Sequence, residues 1–141
     1  MTNRRILIDT GPLVALASED DDQHARCAET LASLTPPLLT CWPTLTEAAY
    51  LLRRRPAALD KLFAAFGAGL FELLHLESGA LADIAAILRR YEDAGLQLAD
   101  AALIHLAERE NIRTVFTLDR RDFSIVRLKR NRILKLIPEI Q

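Results

Sequence analysis

Short apolar segments alternate with longer amphipathic segments along the whole chain, and this alternation limits the fold more than any other feature. Segments of four to six apolar residues predict strands at residues 4–8, 38–41, 71–76, 114–118 and, at the sheet edge, 133–137. Helical spacing predicts helices at residues 23–34, 44–55, 57–66, 81–91 and 98–110, with a short helix opening at residues 11–12. Strands that alternate with helices form a parallel sheet covered on both faces, so we expect an α/β three-layer sandwich with about five short strands.

Length and composition predict one globular domain over residues 1–141. Of the 141 residues, 50% are hydrophobic and 26% are charged, which is typical of a folded protein rather than a disordered one. Asp9 and the Gly11–Pro12 pair interrupt the first apolar segment, and the segment at residues 62–76 is too short to span a bilayer. Cys27 and Cys41 lack the spacing of a metal site, so we expect buried free thiols and a cytoplasmic protein without membrane partners.

Four acidic residues are the candidate site. Asp9 and Asp119 directly follow predicted strands, and Glu47 lies early in the helix after the second strand. Ligands bind beyond the carboxyl ends of parallel strands, so these three acids are expected at one edge of the sheet. Asp100 lies at the beginning of the helix that leads to the fourth strand. We expect this helix to begin at the edge of the sheet opposite to the other three acids. Residues 91–99 are the expected route by which the chain would return.

Each acid also has a purely structural interpretation. Thr44 and Glu47 match a capping box, Asp9 and Asp100 match acids at helix starts, and Asp119 matches a turn former. Taken together, these structural interpretations explain the acids less well, because they would crowd several carboxylates at one edge. Two carboxylates about 4 Å apart repel by roughly 4 kcal/mol at an effective dielectric constant near 20. A hard divalent cation such as Mg²⁺ would relieve that repulsion.

Four motifs in order resemble the PIN-domain nucleases, in particular the VapC toxins of bacterial toxin–antitoxin pairs. They are residues 8–16 (IDTGPLVAL), 45–52 (LTEAAYLL), 98–104 (LADAALI) and 117–123 (TLDRRDF). The resemblance implies a five-stranded parallel sheet and a Mg²⁺- or Mn²⁺-dependent endoribonuclease. It implies that Asp9, Glu47, Asp100 and Asp119 are both the catalytic residues and the metal ligands. It also suggests a homodimer and an antitoxin that covers the site.

Four further residues are expected to support the acids. Thr10 and Thr117 carry hydroxyls that could hold a metal-bound water, and Asp93 precedes the third motif. Asp122 shares the fourth motif with Asp119. We expect Asp119 to be the ligand and Asp122 to stabilise the turn, with the reverse assignment left open.

Basic residues supply candidate contacts to RNA phosphates. Residues 113–135 contain eight Lys or Arg residues and two acids, although the whole chain has a net charge of only −1. The candidate phosphate contacts are Arg53, Arg54, Arg120, Arg121, Lys129 and Arg130. Aromatic residues flank the acidic motifs as well: stacking on bases is open for Trp42, whereas core packing is expected for Tyr50 and Phe123.

Other function classes fit the sequence less well. A receiver-like signalling domain needs paired acids after the first strand, but Asp9 stands alone and no Asp follows the third predicted strand. A histidine-based ribonuclease is not favoured, because His75 is expected in the core or at the edge and His105 points around the helix from Asp100. A catalytically inactive PIN-like interaction scaffold remains open, although the intact acids argue against it.

Overall fold

The computed structural model describes residues 4–139 and has a five-stranded sheet at its centre. The strands are β1 (Ile6–Ile8), β2 (Leu38–Thr40), β3 (Phe71–Leu73), β4 (Thr114–Phe116) and β5 (Lys135–Ile137). They lie in the order β3-β2-β1-β4-β5, and every neighbouring pair is parallel. The expected fold class is confirmed, with strands three residues long where four to six were predicted.

The helices of the described residues fill the connections between strands. They are α1 (Thr10–Ala17), α2 (His24–Ala32), α3 (Trp42–Leu51), α4 (Pro56–Gly67), α5 (Ala80–Arg90), α6 (Leu98–Glu110) and α7 (Arg120–Ser124). Two short 3-10 helices span Glu92–Ala94 and Lys129–Asn131. None of the helices in residues 4–139 is both long and apolar enough to cross a membrane.

The sheet separates two apolar clusters, which gives the three layers. Alternate residues of a strand point to opposite faces, so Leu7 packs in the cluster with α5 and α6, while Ile6 and Ile8 pack in the cluster with α1, α3 and α4. All three residues of β1 are buried, as expected for the central strand of a parallel sheet. The polar atoms that remain available for chemistry therefore lie where the strands end.

The connection between β3 and β4 shows that one sequence expectation was wrong. Residues 74–79 run to the far end of α6, where Arg109 donates a 2.7 Å hydrogen bond to the carbonyl of His75 and lies 3.8 Å from Glu77. Helix α5 then packs along α6, carries the chain back, and α6 starts at the carboxyl edge of the sheet. Helix α6 ends where β4 starts, so it must begin at the carboxyl edge of the sheet. Asp100 therefore lies beside the other acids, and residues 91–99 do not need to carry the chain back across the sheet.

The bounds of α3 also differ from the prediction. The helix begins at Trp42 and ends at Leu51, so Thr44 lies inside its first turns rather than at its start. Pro43 near the start favours this earlier beginning, because the first helical residues need no backbone N–H donor. Helix α7 was not predicted; the 117–123 motif forms a turn and a five-residue helix that buries Phe123.

Candidate active site

The acids predicted from the sequence line one cavity at the carboxyl edge of the sheet. This cavity, of about 500 Å³, is bordered by residues of the first, third, sixth and seventh helices and of the loops before them. Its lining consists of Asp9, Thr10, Gly11, Glu47, Leu51, Gly95, Gln97, Asp100, Leu118, Asp119 and Asp122. Five of these residues are acidic and none is basic, so phosphate would meet strong repulsion there unless a cation were present.

Asp9 lies at the bottom of the cavity, between β1 and α1. Its backbone N–H donates a 2.9 Å hydrogen bond to the carbonyl of Phe116 in β4, which continues the sheet by one residue. Its side chain is 5% exposed. Burial raises the pKa of the Asp9 carboxyl from 3.8 to about 7, although hydrogen bonds from Thr10 and Thr117 oppose that shift. Without a cation, the Asp9 carboxyl is therefore still partly protonated near neutral pH.

Thr117 connects two of the acids. Its hydroxyl donates a 2.9 Å hydrogen bond to Oδ2 of Asp9 and accepts a 2.9 Å bond from the backbone N–H of Asp119. The residue is buried, directly after β4. The hydroxyl that was expected to hold a water thus fixes the carboxyl of Asp9 and the turn that carries Asp119.

Glu47 reaches the cavity from the middle of α3. Because α3 begins at Trp42, Glu47 is not the third residue of the helix, and the capping box with Thr44 is not formed. The Thr44 hydroxyl instead lies 3.5 Å from the sulfur of Cys41. The structural interpretation of Glu47 is therefore wrong, and its carboxylate is half-buried at the cavity wall.

Asp100 forms the capping box that the sequence suggested for Glu47. It is the third residue of α6, and its Oδ2 accepts a 3.0 Å hydrogen bond from the backbone N–H of Gln97. The Gln97 side chain in turn accepts a bond from the backbone N–H of Asp100. Burial raises the pKa of the Asp100 carboxyl, and the charges of Glu47 and Asp119 raise it further.

Asp119 and Asp122 enter the cavity together from the start of α7. Asp119 precedes the helix, and its Oδ1 accepts a 3.2 Å hydrogen bond from the backbone N–H of Asp122. Burial raises the pKa of the Asp122 carboxyl to about 6, with further contributions from a hydrogen bond and charge repulsion involving Asp119 and from the charge of Asp100. The turn-forming role of Asp119 is present, yet both carboxyls also face the other acids.

The carboxylates share one cavity without forming a tight cluster. No group of three His, Cys, Asp or Glu residues within residues 4–139 is close enough together to hold an ion directly. Asp9, Asp100 and Asp119 each bond instead to a nearby hydroxyl or backbone N–H. Mutual repulsion of unscreened carboxylates favours such separate partners.

The donor set nevertheless fits a hard divalent cation. Every charged group on the cavity wall is a carboxylate, and oxygen ligands are those that Mg²⁺ and Mn²⁺ prefer over softer metals. The hydroxyl of Thr10 is buried at the wall and has no hydrogen-bond partner in residues 4–139. Since buried hydroxyls are nearly always paired, this atom indicates a missing partner such as a water or a phosphate oxygen.

The remaining predicted residues lie outside the cavity. Asp93 is exposed in the first 3-10 helix and is not part of the lining. Arg120 donates to the carbonyls of Leu136 and Pro138, at 3.3 and 2.8 Å, in a cavity on another side. Lys129 borders a third cavity, between α5 and α6.

Of the other predicted phosphate contacts, Arg130 is exposed in the same segment as Lys129, while Arg121 is exposed beside Asp122 on α7. Arg53 and Arg54 are exposed directly after α3, the helix of Glu47. Arg53, Arg54 and Arg121 are therefore the candidates near the acids.

The sequence reasoning missed Gln97 and Leu51. Gln97 was detectable, because a polar residue three positions before an acid at a helix start is the signature of a capping box. Leu51 lies four residues after Glu47 and so shares its helix face. Tyr50 was expected in the core, but it is 60% exposed, whereas Phe123 is buried as expected.

Comparison with known proteins identifies the family of the chain. Residues 6–129 match the PIN domain family model. The chain is 32% identical to "Ribonuclease VapC26" of Mycobacterium tuberculosis over 124 residues, which is 86% of this chain and 92% of the relative.

Two solved structures share the fold. The toxin VapC20 of M. tuberculosis, described as cleaving the sarcin-ricin loop, superposes with a TM-score of 0.74 at 21% identity, covering 82% of this chain and 91% of that one. VapBC2 of Rickettsia felis, bound to a promoter DNA fragment, gives a TM-score of 0.60 at 17% identity, covering 93% and 96%. The chain belongs to the PIN-domain family, and within that family to the VapC-type ribonucleases.

Proposed function

We propose that this chain is a Mg²⁺- or Mn²⁺-dependent endoribonuclease, the toxin of a type II toxin–antitoxin pair, acting as one nuclease domain over residues 1–141. The observation that carries the proposal is the single cavity that Asp9, Glu47, Asp100 and Asp119 share at the carboxyl edge of the sheet. The relative named as a ribonuclease supports the type of activity. The charged groups of the cavity lining are all carboxylates, which supports a hard divalent cation such as Mg²⁺ or Mn²⁺.

The protein groups have distinct parts in the proposed reaction. Asp9, Glu47, Asp100 and Asp119 would hold the cation, which when bound offsets charge on the phosphate and makes water a better nucleophile. The Thr117 hydroxyl fixes one oxygen of Asp9, so that the other oxygen can face the cavity. Thr10, whose buried hydroxyl has no hydrogen-bond partner within residues 4–139, is the residue proposed to hold a water beside Asp9.

The fourth acid has two candidates. Asp119 already accepts a hydrogen bond from the backbone of Asp122, while the Asp122 carboxyl is the better buried of the two. We propose Asp119 as the ligand and Asp122 as the residue that stabilises the turn. If Asp122→Asn lowers cation affinity more than Asp119→Asn does, the assignment is reversed.

The proposal extends to partners and location. RNA is the substrate, a cognate antitoxin is the inhibitory partner, and the protein works in the cytoplasm as a homodimer without a membrane partner. A solved VapBC2 complex of R. felis supports the antitoxin. A small gene next to this one should encode it, and its protein should copurify with this chain.

The direct test is cleavage of a structured RNA by purified protein. We expect cleavage with Mg²⁺ or Mn²⁺ and none in chelator, with products that carry a 5′-phosphate and a 3′-hydroxyl. Asp9→Asn and Asp100→Asn should each lower the rate at least a hundredfold. Asp60→Asn is the matched control, because Asp60 is an exposed acid on α4, away from the cavity.

The results separate the alternatives. Cleavage in chelator, or products with a 2′,3′-cyclic phosphate, would contradict the metal-dependent mechanism. Cation binding by calorimetry without cleavage of any RNA would favour the inactive scaffold. Uptake of phosphate from a small phosphodonor on Asp9 would favour the receiver-like alternative.

A further inference from the structure

Two large exposed side chains lie beside Glu47 on the surface of α3. Leu51 lines the cavity and is 55% exposed, and Tyr50, one position earlier, is 60% exposed. Tyr50 and Leu51 follow Glu47 by three and four residues, so they flank its carboxylate on the helix surface. Trp42 is 64% exposed as well, but it lies about half a turn around the helix from Leu51 and is not part of this pair. A single exposed apolar residue needs no explanation, whereas a pair on either side of an acid of the cavity is a candidate substrate contact.

Tyr50 is held in a fixed arrangement by an arginine. The guanidinium carbon of Arg53 lies 3.9 Å from the centre of the Tyr50 ring, and Nη1 of Arg53 donates a 2.8 Å hydrogen bond to the Tyr50 carbonyl. Arg54 adds positive charge next to this pair, while Arg55 is bonded to Ser18 and lies 3.5 Å from Asp20. The Arg53 guanidinium therefore lies over one face of the ring, and both side chains are exposed to solvent.

The cavity itself cannot account for binding of a polyanion. Its charged lining groups in residues 4–139 are all carboxylates, so a nucleic acid strand must be held by groups at the cavity rim. Arg120 is bonded to backbone carbonyls elsewhere, and Lys129 borders a different cavity. Tyr50 and Arg53 lie one position before and two positions after Leu51, which lines the cavity, and they supply both an aromatic face and positive charge.

We propose that Tyr50 and Arg53 form a stacking platform for a base of single-stranded RNA whose phosphate enters the acidic cavity. The inference rests on the proposed function and adds the form of the substrate: an unpaired base next to the scissile phosphate. Aromatic rings and guanidinium groups stack on any base, so the platform selects unpaired nucleotides rather than a sequence. A second copy of the chain on this face is disfavoured, because a two-fold axis there would bring the Arg53 and Arg54 charges of the two copies together.

The test is binding of a fluorescein-labelled single-stranded RNA by anisotropy, in chelator so that the RNA stays intact. Tyr50→Ala should weaken binding about tenfold, the range expected for loss of one stacked base. Tyr50→Phe keeps the ring and should stay within about twofold of the wild type. Arg53→Ala should weaken binding and make it less sensitive to salt, because fewer counterions are released.

Phe63→Ala is the matched control. Phe63 is an aromatic residue of α4 that is 48% exposed and outside the cavity, and its loss should leave RNA affinity unchanged. Double-stranded RNA of the same sequence should bind more weakly than the single strand, and Tyr50→Ala should not affect it. Because Tyr50 and Phe63 are both exposed, thermal unfolding is expected to be similar for all these variants.

The outcomes are decisive in either direction. Unchanged single-strand affinity of Tyr50→Ala would overturn the platform. Sedimentation velocity of the same samples should show the same oligomeric state for wild type and variants; dissociation of an oligomer by Tyr50→Ala would assign the face to a second copy and also overturn the platform. Failure of the proposed function is recognised separately, since the wild type would then bind RNA and fail to cleave it with Mg²⁺.

Discussion

Replacing Asp9 with asparagine should abolish cleavage and at the same time stabilise the metal-free protein. The Asp9 carboxyl is 5% exposed, and burial raises its pKa from 3.8 to about 7. One pKa unit corresponds to about 1.4 kcal/mol, so the buried charge destabilises the metal-free fold by roughly 4 kcal/mol above neutral pH. This figure already includes the hydrogen bond from Thr117, which lowers the pKa of Asp9. We therefore expect Asp9→Asn to gain about 4 kcal/mol above neutral pH.

The pH dependence identifies the cause of this gain. The folded protein binds the Asp9 proton more tightly than the unfolded chain does, so the free energy of unfolding of the wild type falls as pH rises from 3.8 to about 7. Asparagine has no proton to lose in that range. The difference in free energy of unfolding between Asp9→Asn and the wild type should therefore be absent near pH 3.8, grow up to about pH 7 and stay constant at higher pH.

The assay is urea unfolding of wild type and Asp9→Asn in chelator across this pH range, with Asp60→Asn as the exposed control. Added Mg²⁺ should stabilise the wild type with rising concentration and leave Asp9→Asn unchanged, because the cation binds the folded state through the missing carboxylate. A variant that is less stable than the wild type at about pH 8, or a gain that is the same at every pH, would refute the reasoning.

Two further predictions concern hydrogen bonds at the ends of the sheet. Thr117→Val should lower the free energy of unfolding by about 1 to 3 kcal/mol and slow cleavage, because the Asp9 carboxyl and the Asp119 N–H both lose a buried partner. Thr117→Ser, which keeps the hydroxyl, is the control. Equal cleavage rates for Thr117→Val and Thr117→Ser would contradict the role of this hydroxyl in holding Asp9 and Asp119. Arg5 and Arg109 hold the pKa of the Glu110 carboxyl below its ordinary value of 4.5, so its stabilising effect is present above that value and lost as pH falls through the folded pKa. Glu110→Gln should thus cost about 0.5 to 1 kcal/mol at neutral pH and nothing in strong acid, as measured by urea unfolding; a cost that persists in acid would contradict it.

The sequence predicted best where local signals agree with the tertiary environment. Helix α6 was predicted at residues 98–110 and is observed at Leu98–Glu110, because a polar cap precedes it and Asn111, in the left-handed region with φ of 54°, ends it. Strand positions were also predictable, since three buried apolar residues in a row are typical of a central parallel strand. The predicted strands were longer than the observed three residues, and single hydrogen bonds from Leu74 and Thr117 to the neighbouring strands extend the pairing by one residue beyond the strand ends.

The sequence predicted which acids share the cavity, and it did not predict their detailed contacts. The position of Asp9 after β1 placed it at the carboxyl edge of the sheet, and the motif resemblance grouped it with Glu47 and Asp100. The sequence carries capping signals for two helices, at Thr44 for α3 and at Gln97 for α6, and only the second forms, because α3 begins two residues before Thr44. The exposure of Tyr50 could not be predicted either. An aromatic residue in an apolar segment suggests burial, and only the structure shows that Tyr50 lies on the exposed face of α3.

The capping box of α6 complicates the usual way of assigning a catalytic acid. Asp100 closes the first turn with Oδ2 and leaves Oδ1 for chemistry, so truncation to alanine would confound a folding defect with a lost ligand. Asparagine keeps an acceptor oxygen for the Gln97 N–H while removing the charge, and it separates the two roles. An alanine scan of this cavity would therefore overstate the catalytic share of Asp100 and understate its share in starting the helix.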